Sequence, residues 1–122
     1  MKYLCLIYGS EAETSKMTPE EGATMMHDYG AFTQAIMASG HYIGGNPLLP
    51  TATATSVRVR DGKTVTTDGP FAETREQLGG YYLIESANLD EAIGIAARIP
   101  GSKFGTIEVR PIMVIPMPGG QS

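Results

Sequence analysis

The chain has 122 residues, of which 42% are hydrophobic, and it carries a formal net charge of −4. This length fits one domain with a modest core, so we expect a single domain over residues 1–122. The acidic balance argues against a nucleic-acid partner, because binding to phosphates needs a basic surface. No window is apolar over the length that a bilayer span requires, so we expect no membrane association.

The N-terminal segment predicts a buried first strand. Its apolar run, residues 3–8, is too short for a signal peptide and ends at Gly9 without a cleavage pattern. The single cysteine, Cys5, cannot form an intramolecular disulfide, which favours a reducing compartment. We therefore expect a soluble, cytoplasmic protein.

The next element is a long helix that follows a polar loop. Thr18 can accept a hydrogen bond from the backbone of Glu21, Glu21 can reach back, and Pro19 occupies a position that needs no N–H. The helix should end just before Gly40, which suits the left-handed residue after a helix. At helical spacing, one face collects Gly22, Met25, Met26, Tyr29, Phe32, Thr33 and Ile36.

A short strand is expected over residues 41–43, closed by the glycines that follow it, and a hairpin comes next. Two alternating runs flank Asp61-Gly62, a favoured two-residue turn. This turn pairs Arg60 with Lys63. Alternation then places Val57, Val59 and Asp68 on one face of the hairpin. We expect that face, and with it the Asp68 carboxylate, to point toward the interior.

The second half of the chain repeats the strand–helix–strand order. A strand over residues 81–85 precedes a helix that starts at Asn88 and runs to about Arg98, and a strand over residues 106–110 follows. The inward residues of this helix are expected to be Leu89, Ala92, Ala96 and Ile99. The order predicts an α+β fold, a ferredoxin-like sandwich with an added β-hairpin. The apolar tail, residues 111–122, contains three prolines and can only border a sheet.

Two strands indicate a second copy of the chain. Residues 3–8 and 81–84 are apolar at consecutive positions, so both faces of these strands favour burial. Two helices can cover only one face of the sheet. A second copy packing sheet against sheet is the economical cover for the other face, so we expect a homodimer.

The run DGPFAETREQLGGYYLIE, from Asp68 to Glu85, resembles the signature of the DGPF-domain branch of the YCII-related proteins. Residues 1–9, 53–58 and 105–111 support this resemblance, which covers nearly the whole chain. It implies a dimeric α+β barrel. It also implies a small, cofactor-free enzyme that acts on hydroxylated or aromatic compounds in a cleft between helices and sheet, and, more loosely, a link to transcription initiation.

The same resemblance implies a catalytic His–Asp pair, in which the His lies on the first long helix. In this sequence Asp68 matches the acid and Tyr29 occupies the position of the His. The tyrosine is a departure, because a phenol titrates near pH ~10. Asp68 reads either as a general base or ligand anchor or as an acid that caps its own turn. Tyr29 reads either as the partner of Asp68 or as a core tyrosine bonded to the backbone.

Three further residues are candidates for substrate binding: Arg75, Phe71 and His41. Arg75 can orient an anionic group, although a charged run is more often a solvated loop. His41 follows a helix C-terminus, where a cation is favoured, so a capping role competes with cleft lining. Two separated histidines and one cysteine predict no metal site, and no cofactor is expected.

The leading hypothesis is cofactor-free acid–base chemistry, of a lyase or isomerase type, on a small polar or aromatic metabolite. Asp68 would be the base or anchor, Tyr29 a hydrogen-bond donor and Arg75 an orienting cation. The alternative is a non-catalytic ligand-binding or regulatory module. Because the chain is acidic, any link to transcription would require a protein partner rather than DNA.

Overall fold

The computed structural model describes residues 1–116. The strands and helices are β1 (Lys2–Gly9), α1 (Glu11–Thr14), α2 (Pro19–Ala38), β2 (Tyr42–Pro47), β3 (Thr55–Arg60), β4 (Lys63–Asp68), β5 (Gln77–Glu85), α3 (Leu89–Ala97) and β6 (Thr106–Pro111). Short 3₁₀ turns lie at Thr51–Thr53 and Pro100–Lys103. The apolar tail, residues 111–122, was predicted to border a sheet. Its last part, from residue 117, lies outside the described residues.

Four strands form one antiparallel sheet in the order β2-β5-β1-β6. This order results from two βαβ units that interleave, as in a ferredoxin-like fold. The strands β3 and β4 form a separate two-stranded sheet, which is the added hairpin. The predicted α+β fold is confirmed.

The long helix α2 has the predicted ends. The Glu21 backbone donates to the Thr18 hydroxyl at 3.1 Å, and the Thr18 backbone donates to the Glu21 carboxylate at 2.9 Å. Gly40 follows the helix with a φ of 82°, a left-handed conformation that glycine adopts without strain. Of the predicted inner face, Phe32 and Ile36 are buried, but the placement of Met26 is wrong. Its side chain lies beyond the edge of the apolar stripe and is 77% exposed.

The second long helix, α3, is capped by the Asn88 side chain, which accepts from the Glu91 backbone at 2.9 Å. Ala92 and Ala96 point inward as predicted, and Ile95 joins them. The prediction for Leu89 is wrong, because this first residue of the helix lies past the end of the core and is 48% exposed.

The glycine pairs lie in longer strands than the sequence predicted. The predicted stop after residue 43 is wrong, since β2 continues to Pro47, and β5 begins at Gln77 rather than at residue 81. A Cβ on Gly45 would lie 2.8 Å from the Tyr81 carbonyl oxygen, and one on Gly80 would lie 3.0 Å from that of Asn46. These glycines therefore allow close approach of two paired strands instead of ending them.

The two faces of the sheet differ. Both long helices lie on one face, where the core is formed by Tyr3, Cys5, Phe32, Ile36, Tyr82, Ile84, Ala92, Ile95, Ala96 and Ile99. The alternating residues of β1 and β5 point the other way. This open face carries Leu4, Leu6, Tyr8, Leu78, Tyr81 and Leu83, all only half-buried. The homodimer predicted from this pattern stays a prediction.

Candidate functional site

The hairpin has the predicted register and a different orientation. Arg60 pairs with Lys63, and Asp68 pairs with Thr55 on the face that also carries Val57 and Val59. The two valines are 61% and 62% exposed, and Asp68 is exposed as well. The expectation that this face points to the interior of the chain is wrong, because the hairpin extends its own small sheet instead of packing on the larger one.

The base of the hairpin accounts for the glycine after Asp68. The Gly69 backbone donates to the Ala54 carbonyl at 2.7 Å, and the Ser56 hydroxyl donates to the Gly69 carbonyl at 2.9 Å. Gly69 has a φ of 96°, where a side chain would be strained. Among residues 1–116, the Asp68 carboxylate makes no hydrogen bond and is open to solvent.

Tyr29 contacts a different part of the chain. Its hydroxyl accepts a hydrogen bond from the Gly101 backbone at 3.1 Å. Burial raises the pKa of Tyr29, and the bond from Gly101 lowers it in part. Within the single chain, the structure therefore does not bring Tyr29 and Asp68 together.

Two more hydroxyls lie beside Tyr29. The Thr33 hydroxyl donates to the Tyr29 carbonyl at 2.9 Å and lies 2.6 Å from the Tyr82 hydroxyl. Burial raises the pKa of Tyr82, and the bond with Thr33 lowers it in part. Tyr82 was not among the predicted site residues, although alternation along β5 places it on the helix face.

The space between α2 and the sheet, where a ligand cleft was expected, is filled. The rings of Phe32 and Tyr82 meet edge to face at 5.1 Å, and both side chains are buried. Neither of two depressions on the described surface is lined by α2. The smaller one, of about 210 Å³, lies where the segment after β6 passes Met1 and Glu85.

The larger depression, of about 390 Å³, lies at one end of the open face and is lined by Tyr8, Glu76, Thr106 and Glu108. Tyr8 is the cross-strand partner of Thr106, and Leu6 is that of Glu108, so Tyr8, Thr106 and Glu108 share one face. Glu76, just before β5, completes the lining. The site therefore presents a phenol, a hydroxyl and two carboxylates.

One of these carboxylates is already paired. The Arg110 guanidinium contacts Glu108 at 2.9 Å, and this hydrogen bond raises the pKa of Arg110. Glu76 is half-buried and makes no ion pair with any residue of the described chain. Glu76 is thus the carboxylate in the depression that is free to contact a ligand.

A hydrogen-bonded network fastens the hairpin to the same end of the sheet. The Glu11 carboxylate accepts from the Thr51 backbone at 2.8 Å and from the Thr51 hydroxyl at 2.7 Å. The Glu11 backbone donates to the Gln77 side chain at 2.8 Å. The Thr51 carbonyl accepts from Ala54, the residue that also holds the hairpin base. Asp68 and the depression therefore lie at the same end of the molecule.

The comparisons with known proteins agree with this architecture. The YCII-related domain matches residues 1–116. The chain belongs to the YCII-related family. An uncharacterized protein of Rhizobium meliloti (strain 1021) is 40% identical over 114 residues, which cover 92% of each chain.

A solved structure extends the likeness to the fold. It is the 5-chloro-2-hydroxyhydroquinone dehydrochlorinase from Burkholderia phenoliruptrix AC1100 in complex with 2,5-dihydroxybenzoquinone. The match has a TM-score of 0.55 at 14% identity, and it covers 93% of the present chain and 94% of the dehydrochlorinase. At this identity, the likeness shows a shared fold.

The predicted binding residues of this YCII-related protein are not grouped. Phe71 is 81% exposed, and Arg75 is exposed in the same loop. His41 lies at the other end of β5, since its carbonyl accepts from Glu85. Its ring contacts the Ser39 hydroxyl at 2.7 Å and the Glu91 carboxylate at 3.2 Å, which links the end of α2 to the start of α3.

Other groups in this YCII-related protein offer less to a ligand. Burial raises the pKa of the Cys5 thiol to about 11, so the thiolate is disfavoured near neutral pH. Within residues 1–116, no three histidine, cysteine or carboxylate side chains converge to hold a metal ion. None of the helices described here combines the length and apolar character that a membrane crossing needs.

Proposed function

We propose that this YCII-related protein binds a small polar or aromatic metabolite and acts on it by cofactor-free acid–base chemistry. The observation that carries the proposal is the depression lined by Tyr8, Glu76, Thr106 and Glu108 at the end of an apolar, uncovered sheet face. Ligand sites are typically concave, largely apolar and provided with a few convergent polar groups. This depression is shallow, and it supplies the convergent polar groups beside the apolar residues of the open face.

The lining residues suggest a division of roles. Glu76, half-buried and unpaired among the described residues, suits a general base that accepts a proton from a hydroxylated ring. The Tyr8 phenol and the Thr106 hydroxyl can donate hydrogen bonds to ligand oxygens. Glu108 is held by Arg110 and suits a positioning role.

A homodimer is part of the proposal. Leu4, Leu6 and Leu83 are half-exposed on the open face, and a second copy would bury them. Such a copy would also roof the shallow depression and exclude water from it. Charged and hydrogen-bonding groups act more strongly on a ligand when water is excluded.

A second possible site uses Asp68 and Tyr29 as the catalytic residues. Its candidate binding residues are Arg75, Phe71 and His41. Its support is the unpaired Asp68 carboxylate at the same end of the sheet as the depression. A non-catalytic binding module is the alternative function. It is favoured by the internal hydrogen bonds that already engage the hydroxyls of Tyr29 and Tyr82.

A ligand screen tests these placements. We expect small phenols, hydroxyquinones such as 2,5-dihydroxybenzoquinone, or aromatic acids to raise the melting temperature of the wild-type protein. Glu76→Gln should weaken the binding of such a ligand by about tenfold, because a hydrogen bond to a charged group is lost. Glu73→Gln, in the same loop and exposed, is the matched control.

The variants separate the outcomes. Weaker binding in Asp68→Asn with no change in Glu76→Gln would move the site to the Asp68 and Tyr29 placement. A screen without any stabilising compound would contradict both. Mass spectrometry of each bound compound after incubation then decides between catalysis and binding alone. If the protein is an enzyme, the wild type converts the compound faster than the Glu76→Gln variant does; if it only binds, neither protein changes the compound.

A further inference from the structure

Glu11 holds both ends of the segment that leaves the four-stranded sheet to form the hairpin. Its carboxylate accepts two hydrogen bonds from Thr51, near the start of this segment, at 2.8 Å and 2.7 Å. Its backbone N–H donates at 2.8 Å to the side-chain oxygen of Gln77, where the chain returns to the sheet as β5. Because Glu11 is the first residue of α1, this N–H has no partner inside the helix, and Gln77 supplies one.

The other end of the Gln77 amide reaches back along the chain. Its side-chain nitrogen donates to the Thr74 carbonyl. Both partners of the amide are backbone groups, of which the Glu11 N–H can only donate and the Thr74 carbonyl can only accept. The two contacts therefore require a side chain that carries an acceptor and a donor together, as glutamine does.

These bonds surround Glu76, the half-buried carboxylate of the depression. The Glu76 carbonyl accepts from the Thr74 hydroxyl, and the next residue, Gln77, is bonded to Glu11. Residues 71–75 are all exposed, so packing contributes little to the order of this loop. The hydrogen bonds of Thr74 and Gln77 therefore order the backbone that carries the Glu76 side chain.

We infer that Gln77 is a positioning residue, which holds the Glu76 carboxylate in the depression by fastening the loop before β5 to the start of α1. The inference rests on the proposed function, in which Glu76 contacts the ligand. The depression is lined by Tyr8, Glu76, Thr106 and Glu108, without Gln77. The effect of Gln77 on a ligand therefore passes through Glu76.

A double-mutant cycle with catechol as the probe tests this role. Catechol is a neutral ring whose two hydroxyls can donate to a carboxylate. Gln77→Met keeps the length of the side chain and removes both contacts of the amide, so we expect the dissociation constant to rise about fivefold. In a chain that already carries Glu76→Gln, the same change should have an effect below about twofold, because no carboxylate is left to position. Titrations of the four full chains followed by NMR measure these constants.

Thr51→Val is the matched control. It removes the hydroxyl bond at the other contact of Glu11 and leaves Gln77 in place, so catechol binding should change less than about twofold. Hydrogen exchange of the free protein gives a second measurement. Exchange in residues 74–77 should rise about fivefold in Gln77→Met and stay near the wild-type rate in Thr51→Val. Circular dichroism confirms that each variant is folded.

The outcomes separate the positioning role from the proposed function. Equal catechol affinities of the wild type and Gln77→Met would overturn the positioning role alone. So would an effect of Gln77→Met that is the same with and without the Glu76 carboxylate, or an unchanged exchange rate in residues 74–77. A wild-type chain that does not bind catechol would overturn the proposed site for hydroxylated rings, and the positioning role with it.

Discussion

The two faces of the four-stranded sheet are built from the same strands, and the helices of the described chain cover only one of them. Cys5 and Ile84 point toward the helices and are fully buried, with 0% exposure. Leu4 and Leu83, their neighbours in the sequence, point the other way and stay half-buried. The difference shows that the described chain covers the helix face and leaves the alternate residues of the same strands half-buried.

The largest expected effect is on the helix face. Ile36→Ala should lower the free energy of unfolding by about 2–5 kcal/mol, because it leaves a cavity in a core where this side chain is fully buried. Leu83→Ala on the open face is the control, with a smaller loss of about 1 kcal/mol at the lowest usable protein concentration. Urea titration measures both. Equal losses would contradict the difference between the faces.

The next effect concerns association through the open face. Leu6→Glu should raise the dimer dissociation constant at least about tenfold, because an unpaired charge would be buried between the sheets. Light scattering across a dilution series measures it, and circular dichroism should show an unchanged fold, since Leu6 is half-exposed in the single chain. A dimer as tight as the wild type would place its interface elsewhere.

The smallest expected effect tests the hydroxyl pair at the edge of the core. Tyr82→Phe should cost about 1 kcal/mol of stability, because the 2.6 Å hydrogen bond with Thr33 is lost. Tyr42→Phe is the control, since the Tyr42 ring packs against Tyr82 at 6.3 Å and its hydroxyl makes no hydrogen bond within residues 1–116. Unfolding in urea compares the two, and an equal cost would mean that the bond contributes nothing.

Local chemistry explains why much of the fold could be predicted. The Thr18 capping box, the left-handed Gly40 and the Asp61-Gly62 turn each depend on a few adjacent residues, and the structure contains all three. The glycine-containing ends of β2 and β5 were harder to predict. Their glycines serve contacts between strands distant in sequence, and no local pattern reports such contacts.

The candidate site was less predictable for a related reason. The alternation that places Asp68 with Val57 is correct, but it does not say whether that face meets the interior. The depression joins Tyr8, Glu76 and Thr106 from three separate segments. Glu11 adds a link between distant segments, because its carboxylate accepts from Thr51 and its backbone donates to Gln77. Such groupings arise only when strand order and register are fixed.

The sequence by itself determined the helix ends, the hairpin register and the order of strands and helices along the chain, because each follows from period, turn chemistry or capping within a short stretch. Tertiary structure alone decided that the hairpin projects from the body, that Tyr29 bonds Gly101 and that the depression lies on the open face. Those outcomes depend on which distant segments compete for the same space, and packing settles that competition.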